Sequence, residues 1–162
     1  MNKISKKKNI KDCIINTFLI ICSLLCLCQY FIIGFQRTDG PSMKPTIYQN
    51  WILCQKVINN IDIGDIIIAK HNNILICKRV LAGPGDKVAF SENKLFINDI
   101  EFNDEHGEFI TIGSDLIGHV FNLQDDEYFA VGDNRTESLD CRYYGPIKKT
   151  DIVGKCLYIF KK

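Results

Sequence analysis

The sequence predicts a mostly β domain, a barrel or sandwich, behind one N-terminal transmembrane helix. Three observations predict it. Residues 13–35 are 23 consecutive residues without a charge. Beyond them, short apolar runs rich in β-branched residues alternate with Gly, Asn and Asp, the pattern of strands and turns. No stretch of 37–162 repeats its apolar residues convincingly at helical spacing.

The uncharged run comes first. At about 1.5 Å per residue a helix of that length spans roughly 35 Å, enough for a bilayer core. It is apolar all round, which suits lipid better than one face of a soluble core. It is too long for the apolar core of a cleavable signal peptide and ends in Ile33-Gly34-Phe35 rather than in small residues, so it reads as an uncleaved anchor. Residues 1–12 form a basic segment with Lys3, Lys6, Lys7, Lys8 and Lys11 against Asp12. The positive-inside rule places that segment on the cytosol-like side and residues 36–162 on the far side. The far domain carries 15 Lys and Arg against 18 Asp and Glu, a net of −3. Nucleic-acid binding wants a net basic face, so no nucleic-acid partner is expected.

The strands follow in order. The runs are 51–54, 65–69, 73–81, 86–90, 94–97, 128–131 and 152–160. Asn98-Asp99, between Leu95-Phe96-Ile97 and Ile100-Glu101-Phe102, predicts a tight hairpin turn. Residues 103–118, with acids, His106 and glycines, predict a surface loop.

One strand is anomalous. Alternate residues share a face, so Ile74, Ile76, Lys78 and Val80 point the same way. A lysine on an apolar face is desolvated and its pKa falls. A neutral amine is a general base that needs a nucleophile within reach. Ser42, in Gly40-Pro41-Ser42-Met43-Lys44-Pro45-Thr46, is the candidate. The ordinary alternative is that Lys78 snorkels from a strand end to solvent. The eight cysteines lack paired metal-type spacing and read as small buried hydrophobes. His71, His106 and His119 stand alone, with no serine or aspartate motif around them.

Four segments complete the reading: 40–46, Gly64-Asp65-Ile66-Ile67, 78–86 from Lys78-Arg79-Val80 to Gly85-Asp86, and Gly132-Asp133-Asn134-Arg135-Thr136-Glu137-Ser138-Leu139-Asp140-Cys141-Arg142. In order behind an anchor, they resemble the type I signal peptidase family, with its Ser-Met-x-Pro-Thr, Gly-Asp, Lys-Arg-Val and Gly-Asp-Asn-x-x-x-Ser-x-Asp-Ser-Arg patterns. The resemblance implies a signal-peptidase-like β-barrel or sandwich catalytic domain over 36–162. It implies a serine endopeptidase with Ser42 as nucleophile and Lys78 as general base. By the same resemblance Ser138 hydrogen-bonds and aims the lysine amine, and Asp140 and Arg142 form a structural acid–base pair. Cys141 departs from the family serine and is not expected to be catalytic.

The resemblance also bears on branch and partners. Many bacterial members carry a hydroxyl donor two residues before the nucleophile, where this chain has Gly40. The Ser42 N–H is then one oxyanion donor, and the second must be a backbone N–H or a group the sequence does not reveal. Gly40-Pro41-Ser42-Met43 and the short domain are most like a mitochondrial inner-membrane peptidase, facing the intermembrane space and working beside a related second subunit. A bacterial plasma-membrane signal peptidase is the alternative, and a non-catalytic scaffolding subunit of a peptidase complex is a third. Lysine rather than histidine at 78 argues against the endoplasmic-reticulum branch. The expected partners are precursors bearing signal or sorting peptides, with small side chains at P1 and P3, and the lipid bilayer. With no metal or nucleotide motif, no cofactor is expected.

Overall fold

A computed structural model describes residues 3–56, 60–91, 94–103, 105–106 and 118–160. Helix α1 runs Lys3–Ile32, and its window Ile10–Leu27 has a mean hydropathy of 2.0, long and apolar enough to cross a membrane. None of that window packs inside the protein. The basic segment therefore joins the same helix from Lys3 onward.

The helix ends earlier than the uncharged run. Ile33–Arg37 is strand β1, so Ile33, Gly34 and Phe35, assigned to the anchor by apolarity, belong to a sheet. Strand β2, Trp51–Gln55, supplies an antiparallel ladder from Ile33↔Gln55 to Arg37↔Trp51. The Lys56 N–H donates to the Ile32 carbonyl at 2.7 Å and holds the helix end against this ladder. Hydropathy cannot tell a lipid-facing turn of helix from an apolar edge strand.

The remaining strands are β3 (Ile66–His71), β4 (Ile74–Ala82), β5 (Lys87–Ser91), β6 (Lys94–Ile97), β7 (Ile100–Glu101), β8 (Val120–Asn122), β9 (Glu127–Val131), β10 (Ile147–Lys148) and β11 (Ile152–Phe160). Each of the seven predicted runs is a strand to within two residues at either end. They make a seven-stranded sheet, β1-β2-β11-β3-β4-β9-β10, and a four-stranded sheet, β7-β6-β5-β8, all pairs antiparallel. The predicted hairpin is present. Asn98 and Asp99 have φ of 54° and 65°, both left-handed as a tight two-residue turn requires, and Ile97 pairs with Ile100. Most of the predicted surface loop, residues 107–117, lies outside the described residues. The only α-helix described beyond α1 is α2, Cys141–Tyr144.

Two cores form on the two faces of the large sheet. One joins Ile67, Val80, Phe129 and Val131 to Val88, Phe90 and Leu95 of the small sheet. The other gathers Ile52, Cys54, Ile66 and Ile68 under Met43 and Ile47 of the segment after β1. The second core decides the site, because it seats the Ser42 turn on the sheet.

Candidate active site

Three segments meet at one end of the cleft. The first is the turn after β1. Met43 and Ile47 are buried, and the Lys44 and Ile47 N–H groups donate to the Pro41 and Met43 carbonyls at 3.0 and 2.8 Å. The turn is thus pinned from below by apolar side chains and closed by its own backbone. Gly40 enters it at φ +113°, a conformation that L side chains rarely adopt. Ser42 is left lining the cleft.

The second segment is β4. Lys78 is only 4% exposed, opposite Ile67 of β3, and its Nζ lies 2.9 Å from Ser42 Oγ. The alternative of a lysine snorkelling to solvent is excluded by that burial. Among the described residues no carboxylate pairs with it. Burial pushes its pKa below the ordinary lysine value, against the weaker opposing pull of the Asp140 charge. Cys77 lines the same cleft, and burial raises its thiol to about 12, which keeps it a neutral wall group.

The third segment follows β9. Gly132 permits close approach: a Cβ there would collide with Ser138 and with the Ser42 carbonyl. Its N–H donates to Asp140 Oδ2 at 2.9 Å. Asp140 is fully buried and held in a fork by Arg142, Nε to Oδ1 at 2.8 Å and Nη2 to Oδ2 at 2.9 Å. Arg142 Nη2 also donates to the Arg135 and Ser138 carbonyls, so the pair binds the whole 132–142 segment into one unit. Asp140 and Arg142 thus form a buried ion pair.

The Ser138 hydroxyl donates to Asp140 Oδ2 at 2.6 Å, a bond strengthened by the carboxylate charge. Ser138 is buried against Gly132, so it walls the site and stiffens Asp140.

Several contributors were invisible as such in the sequence. Asn134 clamps the turn, its N–H donating to the Ser42 carbonyl at 3.0 Å and its Nδ2 to the Pro41 carbonyl at 3.2 Å. Asp133 is held by Arg79 through two 2.8 Å bonds and by the Thr46 hydroxyl. Burial raises the Asp133 pKa, but these bonds and the Arg79 charge outweigh it and hold the carboxyl below its usual value. Asn134, Asp133 and Thr46 sit inside the quoted motifs, yet motif membership does not say which partner each finds. Cys141 is buried. Its Sγ accepts from the Ala130 N–H at 3.2 Å, and burial raises its thiol to about 12. The ring of His71 stacks on Tyr144 and that of His119 lies beside Phe121. Among the described residues no cluster of His, Cys, Asp and Glu has metal-holding geometry.

The cleft has a volume of about 180 Å³. Gln36–Gly40 line one side and Leu75–Lys78 the other. β1 is an edge strand, and β4 pairs with β9 only from Arg79 onward. Two unpaired backbone edges therefore face each other across the cleft, and a serine hydroxyl touches a desolvated amine at its end. An extended peptide fits such edges by strand addition. Fold and site together define a serine hydrolase of the Ser-Lys kind that acts on extended polypeptide.

Comparison with known proteins supplies the family. The family model described as "Signal peptidase, peptidase S26" matches residues 11–161. Signal peptidase I of Streptococcus pneumoniae is 30% identical over 182 residues, covering 88% of this chain and 89% of that protein. Signal peptidase I V of Bacillus subtilis is 31% identical over 135 residues, 73% of this chain and 80% of the other. The crystal structure of a signal peptidase I from Enterococcus faecalis superposes with a TM-score of 0.50 at 24% identity, over 63% of this chain and all of that one, a likeness of fold. The chain belongs to the peptidase S26 signal peptidase family, serine endopeptidases that remove signal peptides from precursor proteins.

Proposed function

We propose that Ser42 is the nucleophile and Lys78 the general base of a membrane-anchored signal peptidase. The 2.9 Å contact between a serine hydroxyl and a buried lysine, with no carboxylate partner among the described residues, carries the proposal. The neutral amine accepts the Ser42 proton as Oγ attacks the scissile carbonyl, and the ammonium so formed returns the proton to the leaving amine. Water then releases the acyl group by the same relay. The Ser42 N–H, which has no intramolecular acceptor among the described residues, is one donor for the oxyanion. Gly40 offers no side-chain donor.

The chain crosses the membrane once, with the lysine-rich end on the cytosolic side and the cleft on the far side, as the charge asymmetry directs. The membrane is a bacterial plasma membrane in our reading. The relatives named above are bacterial, and they match over 80–89% of their own length. Domain shortness therefore does not single out the mitochondrial branch. Gly40 favours a second reading, a mitochondrial inner-membrane peptidase with a related partner subunit.

The test is cleavage of bacterial and mitochondrial precursors by the reconstituted full chain, beside Ser42→Ala and Lys78→Ala, from pH 6 to 10. The proposal expects cleavage that both substitutions abolish and that rises with pH through a base below the ordinary lysine value of about 10.4. Normal cleavage by either variant would sink the dyad. The precursors that are cut decide between the two membranes.

A further inference from the structure

A second cavity adjoins the cleft. It measures about 270 Å³ and is lined by Phe35, Cys54 and Val153, with Gly34, Gly154 and Lys56 at its limits. Gln36, Ile68 and Leu75 line both cavities, so the two are neighbouring compartments separated by a ridge. Gly34 and Lys56 close the far end: the Lys56 stem occupies the space a Cβ on Gly34 would need.

The direction of the substrate follows from the chain. β1 continues directly from α1, so going back from Gly40 to Gly34 leads from Ser42 towards the anchor. The apolar part of a signal peptide precedes the cut and lies in the same membrane, so a bound precursor enters from the Gly34 end. An extended strand advances about 3.3 Å per residue and turns alternate side chains to one face. P1, P3 and P5 therefore share a face, and P5 lies roughly 13 Å before P1. Counted along β1, four residues before Gly40 is Gln36, at the ridge between the compartments.

Resting on the Ser42–Lys78 reading, we propose that this second cavity is a specificity subsite that receives an apolar P5 side chain. Phe35, Cys54, Ile68, Leu75 and Val153 offer that side chain a mostly apolar wall. Recognition therefore extends beyond P1 and P3, to the point where the apolar segment of the signal peptide begins.

The experiment uses the full chain in detergent with Ser42→Ala, so that binding is read without turnover. Two fluorescent peptides carry Ala at P1 and P3 and either Leu or Ser at P5. Leu should bind about tenfold tighter, as expected when a leucine side chain leaves water. Val153 lines the second cavity but not the Ser42 cleft and is partly exposed, so it can be changed without disturbing the core. Val153→Phe, filling the cavity, should bring the two affinities together, while Val153→Ala keeps them apart. Equal affinities in the parent, binding of neither peptide, or discrimination that survives Val153→Phe would overturn the subsite. If the peptides bind as expected but the chain with Ser42 intact never cuts them, the subsite stands and the peptidase reading falls.

Discussion

Two buried cations sit side by side in this protein and behave oppositely. Arg142 is enclosed together with Asp140, and every oxygen of that carboxylate has a donor. Lys78 is enclosed with no carboxylate partner among the described residues, and its amine donates to the Ser42 hydroxyl. Burial of a charge is costly unless it is paired. Arg142 is forked onto Asp140, so it becomes a strut. Lys78 is unpaired and yields its proton more easily, so it becomes a base. The Asp140–Arg142 pair ties the 132–142 segment together, and Asn134 of that segment holds the Ser42 turn beside Lys78.

The largest effect that tests this contrast is on activity. Lys78→Met keeps the volume and removes the amine, and cleavage should fall by at least about 10³-fold for loss of the base that activates the nucleophile. The same substitution should raise the midpoint of thermal unfolding. A lysine whose folded pKa is depressed costs stability below its unfolded value, with the cost shrinking as pH rises towards that value. A variant both inactive and less stable would break the comparison.

Next comes Arg142→Ala, which strands a fully buried Asp140. It should cost about 3–5 kcal/mol in denaturant titration. Arg79→Ala should cost less, because Asp133 keeps the Thr46 hydroxyl and Arg79 is partly exposed. Equal losses would show that the two pairs are not different in kind.

Gly132→Ala should lower kcat/KM by about 10²-fold with a smaller change in stability. Its Cβ pushes on the Ser42 carbonyl, and a displacement near 1 Å is enough to cost that much. Unchanged kinetics would mean that the turn yields freely.

The smallest effect sharpens the electrostatics. The Asp140 charge raises the Lys78 pKa, opposing burial. Asp140→Asn should therefore move the rising limb of the pH–rate profile to lower pH in whatever fraction of the protein stays folded. A shift to higher pH would mean that Asp140 acts on Lys78 in the opposite sense.

Much of this was legible in the chain. β2 to β6, β9 and β11 announced themselves through β-branched runs, whereas the short β8 and β10 did not, and the lysine on an apolar face pointed to the base before any contact was known. Ser42, Asp140 and Arg142 were legible as members of ordered motifs. The Ser138–Asp140 bond was not legible, because one-dimensional order does not say which neighbour a hydroxyl donates to. β1 was misread because an apolar edge strand and the end of an apolar helix have the same composition.

Composition and spacing set the local terms: an uncharged span preceded by lysines, alternating strands, and glycines where side chains would not fit. These follow from solvation and backbone sterics, which act over a few residues. Only the tertiary structure decided that two strand edges, 33–37 and 74–78, face one another. It also decided that Met43 and Ile47 seat the nucleophile turn, and that Lys78 is buried beside Ser42 with no carboxylate partner among the described residues. Those outcomes depend on which distant segments share a core, and the free energy of an unpaired charge is set only once its surroundings have closed around it.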